Sequence, residues 1–144
     1  MSEKLRIVLV EDNSADAYLI ETSLREGRID YELVRFDHGE AALEHVQRLG
    51  NPEAGLPDVF LVDLHLPGSD GLTVLRAIRR EPRLAHVPVV IMTGACPEHL
   101  GEVDLSGANR IVHKSMDLDE YMRDVAGAVQ ELHLSEPDLR GEPV

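Results

Sequence analysis

Four apolar runs without alternation constrain this chain more than anything else in it. They are Arg6-Ile7-Val8-Leu9-Val10, Asp58-Val59-Phe60-Leu61-Val62, Val87-Pro88-Val89-Val90-Ile91-Met92 and Arg110-Ile111-Val112-His113. A strand with one wet face alternates apolar and polar residues; a strand that does not alternate reads as buried on both faces, as in a parallel sheet. Each run ends on a polar residue. The first passes into Glu11-Asp12, the second into Asp63, the third into Thr93 and the fourth into Lys114. In open parallel α/β sheets, chemistry sits in the crevice beyond the carboxyl ends of the strands. Three carboxylates, a hydroxyl and an ammonium are therefore expected to converge in one crevice.

Between the runs the pattern becomes helical, so the order reads as five β-α units. The first strand covers about Leu5–Val10. The first helix begins near Ser14 as N-cap, carries Ala17, Ile20 and Leu24 at helical spacing, and stops at Gly27. Tyr31–Phe36 is a less apolar second strand and belongs at an edge. The second helix runs from about Gly39 to Leu49, and the Gly/Pro-containing segment 50–57 is a loop. Strand three is Asp58–Val62. The turn Pro67-Gly68-Ser69-Asp70-Gly71 opens a third helix with inner face Leu72, Leu75 and Ile78, ended by Pro82. Strand four is Val87–Met92, a weak fourth helix falls within Pro97–Leu105, and strand five is Asn109–His113. The fifth helix, about Leu118–Leu134, opens on the capping-box pair Asp117 and Glu120. It repeats Leu118, Tyr121, Met122, Val125, Val129 and Leu132 on one stripe. Residues 1–134 read as one α/β domain with a doubly wound sheet, and 135–144 as a flexible tail.

Charge and composition exclude several functions. The net charge is −13, from 27 acidic against 14 basic residues. No basic patch exists to meet phosphate backbones or anionic lipid, and with 3 % aromatic residues there is no base-stacking platform. Nucleic acid and membrane are not expected partners. No apolar run nears the roughly 20 residues that span a bilayer, and no signal-peptide core comes after Met1. Together with the single Cys96, which cannot pair internally, this reads as a cytoplasmic protein. His65, His86, His99 and His113 share no ligand spacing and read as loop and surface residues. Cys96 reads as an inert or merely accessible thiol.

Carboxylates gathered in one crevice repel and require a counter-charge. A hard divalent cation with oxygen ligands supplies it, and Mg²⁺ is the expected ion. Mg²⁺ takes one or two carboxylates, keeps waters, and accepts a phosphate oxygen. The site thus suits transfer of a phosphoryl group to a carboxylate, with Thr93 and Lys114 offsetting charge on its oxygens.

These residues carry a resemblance. Val8-Leu9-Val10-Glu11-Asp12-Asn13, Leu61-Val62-Asp63-Leu64, Leu66-Pro67 with Asp70-Gly71, Thr93-Gly94 and Lys114 together resemble the receiver domain of bacterial response regulators, of the chemotaxis-regulator type. The likeness spans about Leu5 to Leu134. It implies a flavodoxin-like receiver fold with five helices around a parallel sheet of order 2-1-3-4-5, which sets Asp12 beside Asp63. It further implies that Asp63 is the phosphoacceptor. Asp12 and Asp63 would ligate Mg²⁺, with Glu11 doing so directly or through water and the His65 backbone carbonyl adding an oxygen. Thr93 and the Gly94 amide would hold the phosphoryl group. Lys114 would bond first to a carboxylate and then to a phosphoryl oxygen.

A narrower likeness joins the segments 11–16, 83–88 and 117–121, with the Gly/Pro loop 50–57 before strand three, to stand-alone receivers that partner phytochrome-type sensor histidine kinases. That likeness implies a single-domain regulator of a two-component phosphorelay, taking its phosphoryl group from such a kinase or from a phosphotransfer protein. Such a regulator is no enzyme beyond its own phosphorylation and dephosphorylation, and it signals through protein contacts. A homodimer through the fourth helix, fifth strand and fifth helix is implied for some of the subgroup.

Two positions depart from the pattern. Ile111 stands where the family usually has an aromatic residue, and Ser115 where it usually has a proline after a cis bond. A trans bond is expected before Ser115, because a cis bond before a non-proline residue costs about 2.5 to 4 kcal/mol. The two departures motivate an alternative, a receiver-like module that works without phosphorylation. An aspartate-nucleophile phosphatase is disfavoured because Asp63-Leu64-His65 comes after the third strand. A nucleotide-binding protein is disfavoured because no Gly-rich loop comes after the first.

Overall fold

The computed structural model of the chain describes residues 4–66, 68, 70–94 and 104–139. Five strands form one parallel sheet in the order β2-β1-β3-β4-β5. They are β1 (Leu5–Val10), β2 (Tyr31–Phe36), β3 (Val59–Asp63), β4 (Val89–Thr93) and β5 (Arg110–His113). Among the described residues four α-helices connect and cover them: α1 (Ser14–Glu26), α2 (Gly39–Leu49), α3 (Gly71–Arg80) and α4 (Leu118–Leu139). The helix expected within Pro97–Leu105 lies largely outside the described residues, as do Cys96 and His99. The helix labelled α4 is therefore the fifth of those expected from the sequence, and it continues past Leu134 to Leu139.

The three central strands explain the missing alternation, since every residue of β3 and β4, and all of β1 but Arg6, is buried. Successive residues still point to opposite faces. Ile7, Leu9, Val59, Leu61, Val90 and Met92 pack against α1 and α4 through Ile20, Leu24, Tyr121 and Val125. Val8, Val10, Phe60, Val62, Val89 and Ile91 pack against α2 and α3 through Val46, Leu49, Val74 and Ile78. Burying apolar area on both faces, at about 25 cal/mol per Å², is what holds a parallel sheet in water.

Several local readings are corrected. β5 is not buried on both faces: Arg110, Ile111 and His113 are exposed and only Val112 is buried, because β5 is a sheet edge. β2 forms the opposite edge, as its weaker apolar character suggested. The N-cap of α1 is Asn13, not Ser14; its side-chain oxygen accepts the Asp16 amide at 3.0 Å. On α3 the buried stripe is Val74, Leu75 and Ile78, with Leu72 only partly covered. On α4, Tyr121, Val125, Val129 and Leu132 are core while Leu118 is exposed. No helix among the described residues is long and apolar enough to cross a membrane.

Candidate functional site

The strand register assembles the site. Val10 pairs with Val62, Asp63 with Met92, and Thr93 with His113. At or one step beyond these pairs the chain delivers Glu11, Asp63, Thr93 and Lys114 to the same end of the sheet. Glu11 and Thr93 are fully buried, Asp63 nearly so, and Asp12 is exposed. Carboxylate oxygens of Glu11, Asp12 and Asp63 lie within 4.8 Å of one another.

Lys114 is the hub. Its Nζ donates to Asp63 Oδ2 at 3.0 Å, to Glu11 Oε1 at 3.1 Å and to Asp16 Oδ2 at 3.1 Å. Its backbone amide bonds to the Thr93 carbonyl at 2.8 Å, which fixes the approach of the side chain. Burial alone would make the ammonium easier to deprotonate. The hydrogen bond and charge of Asp63, followed by those of Glu11, outweigh burial and hold its pKa above the usual lysine range.

Asp16 is a site residue that the sequence does not advertise. It sits in the first turn of α1, where an acid is ordinarily explained by the helix dipole. Only the fold reveals that this turn faces Lys114.

Backbone amides near the strand ends meet two of these carboxylates. The His65 amide donates to Asp63 Oδ1 at 3.0 Å, and the Asn13 amide to Glu11 Oε2 at 3.2 Å. Gly94, the first residue after β4, is exposed, and a Cβ there would meet nothing within 4 Å among the described residues. The bond before Ser115 is trans, and Ser115 gains a capping role: its hydroxyl accepts the Asp117 amide at 3.0 Å and bonds Glu120 Oε2 at 3.3 Å. Asp117 accepts the Glu120 amide at 3.2 Å. Ile111 is 42 % exposed on β5.

These residues fit a hard divalent cation. The donors are all oxygens, and each hydrogen-bonded carboxylate oxygen of Glu11 and Asp63 keeps a lone pair for a metal. One ammonium faces four nearby carboxylates, so the cluster carries excess negative charge. Burial first, and then the charge of Asp63, push the Glu11 carboxyl up to about 7 against the opposing pull of Lys114.

The sign of the resulting pH dependence is definite. The folded acid holds its proton more tightly than the unfolded one, so stability without metal falls as pH rises from about 4.5 to about 7. If Glu11 ligates a cation directly, it must first shed that proton. Apparent Mg²⁺ affinity should therefore fall by about tenfold per pH unit below 7 and level off above 8. Calorimetry in buffers of different ionisation heat should find close to one proton released per ion at pH 6 and close to none above pH 8.

A sheet of this order, bearing this acid, hydroxyl and lysine at its carboxyl end, defines a class of protein. The family model of the response regulator receiver domain matches residues 7–126. The response regulator Rcp1 of Synechocystis is 36 % identical over 124 residues, covering 84 % of each chain. The crystal structure of the Mn²⁺-bound form of Rcp1 superposes with a TM-score of 0.73, at 34 % identity over 85 % of this chain and 90 % of that one. The phosphorylated cyanobacterial phytochrome response regulator RcpA superposes with a TM-score of 0.80, at 30 % identity over 92 % and 96 % of the two chains. The receiver domain of the sensor histidine kinase PA1611 from Pseudomonas aeruginosa, with magnesium coordinated in its active site cleft, gives 0.69 at 26 % identity over 89 % and 99 %. The chain belongs to the response regulator receiver family. It is a response regulator of two-component signalling, and its acidic cluster is one that can bind Mg²⁺ or Mn²⁺.

Proposed function

We propose that Asp63 is the phosphoacceptor, charged by a sensor histidine kinase of the phytochrome type or by a phosphotransfer protein. The observation that carries this reading is the Lys114 ammonium bound at once to Asp63, Glu11 and Asp16 in a buried crevice. A carboxylate oxygen of Asp63 attacks phosphorus. The P–N bond to the donor histidine breaks with its electron pair returning to the imidazole, and an acyl phosphate remains. Glu11, Asp12, Asp63 and the His65 carbonyl would hold Mg²⁺, which would supply positive charge against the phosphoryl oxygens when bound. Thr93 and the Gly94 amide donate to those oxygens, and Lys114 exchanges its bond to Asp63 for one to the phosphoryl group. The acyl phosphate carries about −1.5 to −2 charges in place of the single charge of the Asp63 carboxylate, enough to redistribute the three bonds of Lys114.

The chain is a phosphoacceptor with no activity beyond its own phosphorylation and dephosphorylation. It works in the cytoplasm and signals through protein contacts, without nucleic acid or membrane. Self-association uses the face of β5 and α4, where Ile111 is exposed and Arg110 pairs with Glu131 at 3.3 Å. Two relatives support the kinase type. RcpA is a phytochrome response regulator, and AtBRR is a bacteriophytochrome response regulator that is 32 % identical with a TM-score of 0.70.

The test is phosphotransfer from a labelled phytochrome-type kinase. Label should leave the kinase histidine for the wild-type chain and not for Asp63→Asn. Transfer to both, or to neither while another class of kinase succeeds, would overturn the acceptor or the partner assignment respectively. Sedimentation that stays monomeric with and without a phosphoryl mimic would remove the dimer.

A further inference from the structure

Arg35 stands beside the acidic cluster on the neighbouring strand, and the phosphoryl chemistry gives it no part. It lies near the carboxyl end of β2, in register with Leu9 of β1. Its guanidinium reaches across the turn after β1. Nε donates to the Glu11 carbonyl at 2.9 Å and Nη2 to the Asp12 carbonyl at 3.2 Å. These are consecutive carbonyls, and they belong to two of the three residues whose carboxylates form the metal cluster. The planar fork of an arginine can span two such acceptors; a lysine ammonium is a point donor and cannot hold both in one geometry.

The peptide groups on either side of the Glu11 Cα are held independently. Its amide donates to the Phe36 carbonyl at 3.0 Å, while its carbonyl and that of Asp12 are held by Arg35. Fixing these peptide planes fixes the direction in which the Glu11 and Asp12 side chains leave the backbone. The guanidinium also brings a cost, because a fixed positive charge beside a cation site repels the cation. Arg35 is exposed, so that repulsion is screened by water and salt, whereas the geometric constraint is not.

We propose that Arg35 is a positioning residue for the divalent cation: it clamps the turn at residues 11 and 12 so that both carboxylates face the ion, and this outweighs its own charge repulsion. The proposal deepens the metal reading of Glu11, Asp12 and Asp63 and rests on it.

The two effects predict opposite signs, which makes the test decisive. Mg²⁺ alone is titrated into the full chain by calorimetry for wild type, Arg35→Met, Arg35→Lys and Asp63→Asn, with urea unfolding of each without metal. Arg35 borders open space of about 300 Å³ with Phe36, Asp37 and Ala41, so shortening it removes no core packing. The urea midpoint of Arg35→Met should therefore fall only by what the two lost hydrogen bonds contribute, and that of Arg35→Lys by less. Arg35→Met should bind Mg²⁺ about tenfold more weakly. Arg35→Lys, which keeps the charge and loses the fork, should recover only part of that loss. Affinity of Arg35→Met equal to or tighter than wild type would overturn the proposal, since charge repulsion would then dominate. If Arg35→Met folds poorly, Arg35→Lys carries the test, and wild-type affinity there would overturn the proposal equally. Failure of the underlying reading shows differently: wild type and Asp63→Asn would bind Mg²⁺ alike or not at all, and the proposal would fall with it.

Discussion

Lys114→Met lowers the stability of the metal-free protein by about 3 kcal/mol, and saturating Mg²⁺ restores most of it. The substitution leaves an unbranched side chain one heavy atom shorter and deletes the one positive charge that, among the described residues, meets Asp63, Glu11 and Asp16 together. Glu11 is fully buried and the Asp63 side chain is 5 % exposed, so water cannot replace the ammonium. Removing one partner of a buried ion pair costs about 3 to 5 kcal/mol because the other charge is left uncompensated. The lower end applies here, since Glu11 can take up a proton near neutral pH and shed part of the repulsion. The loss should therefore be smaller at pH 5 than at pH 8. A divalent cation supplies the missing charge at the same carboxylates, so the variant should also bind Mg²⁺ more tightly than wild type. Urea unfolding at both pH values, with and without Mg²⁺, measures all of this. Equal midpoints for variant and wild type at pH 8 without metal would show that the three bonds carry no net energy.

The second large effect is expected where no charge is involved. Gly71 opens α3, and a Cβ there would lie 2.2 Å from the Asp63 carbonyl oxygen and 2.7 Å from the Leu64 Cα. Both obstacles are backbone, so no rotamer change relieves them. The Gly71 amide is also bonded to the Leu64 carbonyl at 3.0 Å, which holds the helix start against the end of β3. Alanine would gain about 1 kcal/mol in helix propensity, and the clash must first offset that. Overpacking costs about 1 to 3 kcal/mol and more where nothing yields. Gly71→Ala should therefore destabilise by about 3 kcal/mol and move the peptide that carries Asp63, so that Mg²⁺ affinity falls as well. Gly127 provides the control. It lies within α4, a Cβ there would meet nothing within 4 Å among the described residues, and Gly127→Ala should stabilise by about 0.5 to 1 kcal/mol. Thermal melts of the two variants should shift in opposite directions; a shift of Gly71→Ala alongside Gly127→Ala would refute the packing argument.

Much of this architecture was legible because burial on both strand faces leaves a strong mark. The unalternating runs at 6–10, 58–62 and 87–92 read as buried strands and hold the three central strands, and the residues at the carboxyl ends of such strands build the site. The residues less easily read are those whose role depends on what the fold brings opposite them. Arg110-Ile111-Val112-His113 has the composition of a buried strand but lies at the edge, because no sixth strand pairs beyond it among the described residues. Ser14 and Asn13 are both good caps; the choice depended on which residue keeps extended backbone, and Asn13 does. Leu72 and Val74 differ by half a helical turn in the face they present, and the close seating of Gly71 on β3 turns the helix so that Val74 is buried. Asp16 and Arg35 look like ordinary surface charges in sequence, and only the packing of α1 and β2 against the site gives them partners.

The most direct test of Asp63 as the acceptor is the intact mass of the chain after incubation with Mg²⁺ and a small-molecule phosphodonor, beside Asp63→Asn. One phosphoryl group should appear on wild type and none on the variant, with the yield falling when Mg²⁺ is chelated. A folded wild-type protein that gains no mass, or an Asp63→Asn variant that gains as much, would contradict the assignment of Asp63 as the acceptor in this crevice.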